Sequence, residues 1–150
     1  MAQQDGAEYE IRVLQESDLY IESGFYATLE NLRKEERIDI ENMRRQFRRR
    51  QQSGVVTYVV VLGGQIVATT SVVFEDKFIH NGGRIAHVED VATRKGYEGR
   101  GYAKALLQQA TTLARQEGCY KVILDCSFDN VLFYVKQGMR PVEICMRVDL

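Results

Sequence analysis

Two adjacent glycines, Gly63-Gly64, separate two runs whose residues favour extended backbone. Residues 55–62 are dominated by valine, and 65–74 again alternate β-branched, small and aromatic side chains. Branching at Cβ restricts χ1 and suits the pleated surface of a strand. A two-residue Gly-Gly link supplies the positive φ angles that a tight hairpin needs. The two runs are therefore predicted to be antiparallel neighbours. This pairing excludes an all-helical chain and argues against a purely parallel, doubly wound sheet.

The remaining periodicities place helices around that hairpin. Residues 11–14 form a short strand candidate. Ser17 or Asp18 caps a predicted helix whose apolar positions Ile21, Phe25, Leu29 and Leu32 recur every three or four residues. A second helix carries Ile40, Met43 and Phe47 on one face and stops near Ser53-Gly54. A loop over 77–83 precedes a strand over 84–93. A helix over 104–117 buries Leu106, Leu107, Ala110, Leu113 and Ala114. A strand over 120–126 has the strongly apolar centre of a strand covered on both faces. Asp129 or Asn130 opens a short helix ending at Gly138, and residues 139–148 supply a last strand. The sum is an α/β (α+β mixed) chain of 150 residues, expected to form a single domain with helices on the faces of a mixed sheet.

Charge and cysteine usage narrow the class of function. With 20 basic and 21 acidic residues the net charge is −1, which creates no global field for nucleic acid or a membrane surface. Arg44, Arg45, Arg48, Arg49 and Arg50 form either a polyanion patch or a solvated helix face. Glu35, Glu36, Asp39 and Glu41 just upstream favour the solvated face. No run approaches the ~20 apolar residues of a membrane span. The polar first ten residues and the terminal Val148-Asp149-Leu150 carry no recognisable address, so a cytoplasmic protein is expected. Cys119, Cys126 and Cys145 have no metal-like spacing and there are only two histidines, so no metal is expected. Cys126 reads as a nucleophile or redox thiol, or as a small buried strand residue, and the second is expected.

The chemistry is concentrated between 88 and 104. Val88-Glu89-Asp90-Val91-Ala92-Thr93 reads as strand, Gly99-Arg100-Gly101 as a glycine-rich turn, and Tyr102-Ala103-Lys104 as the opening of a helix. The first amides of a helix have no internal acceptor and the helix dipole favours negative charge there. A strand–glycine loop–helix order is thus suited to phosphate or pyrophosphate.

The segment Glu98-Gly99-Arg100-Gly101-Tyr102-Ala103 resembles the acetyl-CoA motif of the GNAT superfamily of N-acetyltransferases, in which Gln or Arg is followed by two residues, Gly, one residue, and Gly or Ala. Glu98 departs from that pattern. A carboxylate is repelled by pyrophosphate, so Glu98 is expected to point to solvent. His87-Val88-Glu89-Asp90-Val91, Gly118-Cys119-Tyr120-Lys121-Val122-Ile123-Leu124-Asp125-Cys126 and Asn130-Val131-Leu132-Phe133-Tyr134 resemble, in this order and spacing, one branch of the superfamily, the glucosamine-6-phosphate N-acetyltransferases. The resemblance is strong over the C-terminal half and weaker before it. It implies a GNAT-type central mixed, mainly antiparallel sheet with helices on both faces, splayed at the acetyl-CoA strand. It further implies acetyl transfer from acetyl-CoA to the amine of D-glucosamine 6-phosphate, on the route to UDP-N-acetylglucosamine, in a homodimer with sites near the subunit interface. Other readings of the same residues are a GNAT enzyme with another small amine or a protein N-terminus as acceptor, and a non-catalytic acyl-CoA-binding module.

Carried over residue by residue, the resemblance assigns Gly99, Arg100, Gly101, Tyr102, Ala103 and Lys104 to the pyrophosphate cradle, and Val91, Ala92 and Thr93 to backbone pairing with the pantetheine arm. Glu89 and Asp90 become the acceptor-side catalytic pair. Neighbours on a strand face opposite ways, so both reach one site only across a β-bulge, which the superfamily carries. Tyr134 is assigned to the cofactor sulfur, and Asp125 to the cofactor. Asn130 is assigned there too, or is only a helix cap. Thr28, Lys77, Phe78, Ile79, His80, Tyr120, Lys121 and Arg147 are assigned to the sugar phosphate, with Arg147 reaching from the other subunit.

Overall fold

The computed structural model describes residues 2–4, 7–33 and 38–150; Glu35 and Glu36 fall outside the described residues. Six strands form one sheet in sequential order: β1 (Ala2–Gln4), β2 (Ala7–Val13), β3 (Val56–Leu62), β4 (Gln65–Asp76), β5 (Arg84–Thr93) and β6 (Cys119–Ile123). All neighbours are antiparallel except β5 and β6, which run parallel. The β3–β4 hairpin closes on Gly63 and Gly64, at φ 55° and 78°, the double positive-φ turn that matches strand twist. The strand predicted over 84–93 coincides with β5.

Helices cover both faces. On one, α1 (Phe25–Leu29) and α2 (Ile40–Gln52) lay Phe25, Met43 and Phe47 against Val59 and Ile66. Asp39 caps α2 by accepting from the Asn42 amide. On the other face, α4 (Tyr102–Gln116) buries Leu106, Leu107, Ala110 and Ala114 against β3, β4 and β5, and α5 (Val131–Lys136) adds Phe133 and Tyr134 to that layer. The predicted stripe of the long helix is thus the observed one, with the helix beginning two residues earlier. A single turn, α3 (Ile79–Gly82), interrupts the β4–β5 connection, with His80 and Asn81 in the left-handed region. No helix among the described residues is long and apolar enough to cross a membrane.

Three expectations are corrected. The helix predicted from Ser17 or Asp18 is broken into 3₁₀ turns at Glu16–Asp18 and Ile21–Ser23, followed by the short α1. Asp18 does not cap it. Its carboxylate accepts two bonds from the Arg12 guanidinium, at 2.7 and 2.8 Å, and one from the Gln15 amide, tying the turn to β2. The strand predicted over 120–126 stops at Ile123, which leaves Cys126 exposed rather than buried. The strand predicted over 139–148 is absent. These residues pair with no strand among the described residues and from Arg140 onward are exposed, because extended backbone is held only where a neighbouring edge completes its hydrogen bonds.

Candidate active site

The β4–β5 pairing slips at one place. Thr69 pairs with Ala92 and Ser71 with Glu89, so two residues of β5, Asp90 and Val91, oppose one of β4, Thr70. This is a β-bulge, and it puts Asp90 at φ 52°, a conformation that costs a non-glycine residue about 1–2 kcal/mol. The bulge breaks the alternation that would otherwise send Glu89 and Asp90 to opposite faces. A second irregularity lies on the other edge of β5. Its parallel pairing with β6 ends at His87–Ile123, so among the described residues Val88 to Thr93 has no strand partner on that side. The two strands splay, and the open edge can hydrogen-bond an extended ligand.

At the end of that edge the chain turns into α4 through Gly99 and Gly101, both with φ near 75°. Gly101 is the N-cap in left-handed conformation, which a glycine adopts without a Cβ clash. No backbone carbonyl among the described residues accepts from the amides of Gly99, Arg100 or Gly101. With the first amides of α4, they form a row of open donors. This row, Val91, Thr93, Asn130 and Tyr134 line a cleft of 540 Å³. Of the predicted cofactor residues, the cleft therefore gathers Val91, Thr93, Gly99, Arg100, Gly101, Tyr102, Ala103, Lys104, Asn130 and Tyr134. Ala92 faces the interior instead. The Tyr102 ring packs edge-on against Tyr9 in the core, while the residue also borders the cleft. Asp125 lies outside the cleft, exposed on the loop after β6. Asn31, Tyr97, Glu98, Phe133 and Gln137 also line it; nothing in the local sequence pattern singled them out.

Burial raises the Tyr134 phenol above its ordinary value, with the Cys126 thiol adding to the effect. Tyr134 therefore stays a neutral hydrogen-bond donor. Glu89 is also raised, first by burial and then by the charges of Asp90 and Asp125; His87 and Arg50 oppose this. Arg50 was expected on a solvated face. Arg44 and Arg48 do lie there, paired with Glu41 and Glu16, each at 2.7 Å, but Arg50 turns inward from the end of α2. Its guanidinium donates to Ser71 Oγ at 2.5 Å and to Thr57 Oγ1 at 3.2 Å. Ser71 is the register partner of Glu89, so Arg50 places a cation on the Glu89 face of the sheet with no carboxylate bonded to it. Position in a run of arginines gave no sign of this, because the inward turn depends on hydroxyls contributed by β3 and β4.

The predicted phosphate residues are scattered or paired. Lys77 is bonded to Glu75, which also meets His87 Nε2 at 2.8 Å. His80 stacks on Tyr120 with centroids 4.2 Å apart, and Lys121 lies over the same ring. Phe78 and Ile79 are exposed. Arg147 lies in the exposed tail, its Nε donating to Asp149 at 2.7 Å. The Thr28 assignment is corrected: its side chain is fully buried, and the hydroxyl donates to the Gly24 and Ile66 carbonyls at 2.9 and 3.1 Å. It braces α1 against β4 and offers nothing to a ligand. Glu98 is exposed but not free. It folds back to accept from the Gly96 amide at 2.6 Å and from Asn31 Nδ2 at 3.2 Å.

A bulged strand with one open edge, ending in a row of free amides at a helix start, defines an acyl-CoA-dependent acetyltransferase architecture. Residues 20–139 match the acetyltransferase (GNAT) family, and the chain belongs to it. It is 38% identical to a glucosamine 6-phosphate N-acetyltransferase of Trypanosoma brucei brucei, covering 97% of this chain and 99% of that one. It is 34% identical to the Arabidopsis thaliana enzyme of the same name, over 92% and 94% of the two chains. The crystal structure of the Arabidopsis enzyme superposes with a TM-score of 0.89, covering 95% of this chain and 98% of that one.

Proposed function

We propose that this protein transfers the acetyl group of acetyl-CoA to the amine of D-glucosamine 6-phosphate, giving N-acetyl-D-glucosamine 6-phosphate and CoA. Likeness to the trypanosome and plant enzymes over nearly the whole chain supports the acceptor. The observation that carries the chemistry is the bulge at Glu89-Asp90 beside the open edge of β5. In this reading the chain acts as one N-acetyltransferase domain in the cytoplasm, on the route to UDP-N-acetylglucosamine.

The open amides of Gly99, Arg100 and Gly101 and the first turn of α4 hold the pyrophosphate. The edge of β5 at Val91 and Thr93 pairs with the pantetheine amides, aiming the thioester at the bulge. Glu89 orients the ammonium and takes its proton, directly or through water; its raised carboxyl suits that exchange. A backbone amide freed by the bulge stabilises the tetrahedral oxyanion. The amine attacks the thioester carbon, the tetrahedral intermediate loses its second N–H proton to solvent as the carbon–sulfur bond breaks, and Tyr134 hydrogen-bonds the departing thiolate, which takes a proton from solvent. No residue is acetylated, since positioning two substrates together supplies the advantage a covalent step would give.

The acceptor's phosphate requires cations, and within one chain Lys77 is paired and Arg147 lies far down the tail. The tail alternates exposed apolar residues, Val142, Ile144, Met146, Val148 and Leu150, a period-two pattern that fits a strand laid on another sheet. We infer a homodimer in which the tail pairs with the second copy and brings Arg147 to its acceptor groove. Thiol release from acetyl-CoA, compared with glucosamine 6-phosphate and glucosamine, tests the reading: release that requires the phosphate supports it, and release with neither overturns the acceptor.

A further inference from the structure

The glycine loop carries an acid where the superfamily pattern has Gln or Arg, and the structure shows what it binds. Glu98 Oε2 accepts from the Gly96 amide at 2.6 Å. Glu98 Oε1 accepts from Asn31 Nδ2 at 3.2 Å, and the same carboxamide donates to the carbonyl of Thr93 at 2.5 Å. Three pieces of chain meet at this point: the turn after α1, the last residue of β5, and the loop leading to α4. The surrounding field agrees. The amide of Glu98 itself acts most strongly, and with those of Gly96 and Tyr97 and the Asn31 carboxamide it holds the Glu98 carboxyl below the ordinary glutamate range, against the effect of burial.

The loop's donors therefore divide into two groups. That of Gly96 donates to an anion the chain supplies itself, while that of Tyr97 donates to the Arg94 carbonyl at 3.0 Å. Those of Gly99, Arg100 and Gly101 find no backbone acceptor and face the cleft. We propose that Asn31 and Glu98 form a latch that fixes the loop before any ligand arrives, with Glu98 as an internal counter-anion that takes the Gly96 amide and Asn31 and leaves the amides of the glycine turn for pyrophosphate. Asn31 also caps the carbonyl of Thr93 and so sets where the pairing edge of β5 ends. Both are positioning residues. The carboxylate is usable here because its charge is spent upstream of the glycines, and pre-ordering the loop lowers the entropy cost of binding.

This inference rests on the acetyl-CoA reading, and the test separates the two. Acetyl-CoA affinity is measured by calorimetry, and amide exchange at residues 94–101 is measured in protein without acetyl-CoA. In Glu98→Ala the Gly96 amide exchanges faster, the dissociation constant rises roughly tenfold, and kcat at saturating acetyl-CoA changes less than about twofold. Asn31→Ala gives a smaller rise, and the double variant binds no more weakly than Glu98→Ala, as expected for members of one unit. Glu98→Gln, whose carboxamide oxygen still accepts, recovers most of the affinity. Unchanged or tighter binding in Glu98→Ala overturns the latch and makes the carboxylate an idle or repelling charge. If the unaltered protein binds no acetyl-CoA, the proposed function fails. The exchange data then decide the latch alone: faster exchange in Glu98→Ala upholds it, and unchanged exchange overturns it.

Discussion

In the cleft at the start of α4 the groups offered to a ligand are backbone amides, whereas in the groove beside Glu89 they are charged side chains carried by α2, β4, β5, β6 and the tail. The first half-site is complete within one chain: β5 gives an edge, Gly99 and Gly101 give the turn, and α4 gives the donors. The second is incomplete. Lys77 is bound to Glu75, Arg84 to Asp76 and Glu117, and Arg147 to its neighbour Asp149. Among the described residues Arg50 is held on the Glu89 face by the hydroxyls of Ser71 and Thr57 rather than by a carboxylate, and Lys121 lies over the Tyr120 ring. In the proposed reading, donor recognition is a property of backbone shape and acceptor recognition a property of assembly.

Three substitutions sharpen this contrast. The largest effect belongs to Glu89→Gln, which removes the proton acceptor but leaves the amide row intact. Turnover with glucosamine 6-phosphate falls about a hundredfold, while calorimetry finds acetyl-CoA binding changed less than about twofold. An equal loss of binding would mean the halves are not separable. Next comes Gly101→Val, which forces a branched residue into the left-handed N-cap. Acetyl-CoA affinity falls about tenfold, and the Michaelis constant for the amino sugar, read at saturating acetyl-CoA, stays near its original value.

The smallest effect is that of Arg50→Met, and it depends on pH. His87 and, more weakly, Arg50 oppose the rise that burial, Asp90 and Asp125 impose on the Glu89 carboxyl. Removing the Arg50 cation lets that pKa rise further. Glu89 then stays protonated to higher pH, and the acidic limb of the kcat/KM profile moves toward neutrality. A roughly three- to fivefold loss near pH 6 that disappears near pH 8.5 is expected, with Arg50→Lys restoring most of the profile. A loss equal at both pH values would assign Arg50 to packing alone.

The same contrast explains what was legible in the sequence. The Gly63-Gly64 hairpin, β5, α2 and the stripe of α4 rest on local rules of turn chemistry and periodicity, and they stand as predicted. So does the amide row, because a glycine turn before a helix is a local pattern. Thr28, Arg50, Asn31 and Glu98 depend on contacts to Ile66, to Ser71 and to each other that span 21 to 67 residues of sequence, and no local pattern contains both ends of such a contact. The tail after Gly138 failed for a related reason. Its apolar alternation promised a strand over 139–148, but a strand needs an edge to complete it, and the described residues of its own chain supply none.

Complementation between two damaged copies tests the shared acceptor site most directly. Glu89→Gln chains and Arg147→Ala chains are each expected to be nearly inactive with glucosamine 6-phosphate. Co-expressed, they form mixed dimers in which one site pairs an intact Glu89 with an intact Arg147 from the other chain. Activity should then return to about a quarter of the unaltered level, since half the dimers are mixed and each has one whole site. Activity that stays at the sum of the two damaged proteins would contradict the account and place the whole acceptor site within a single chain.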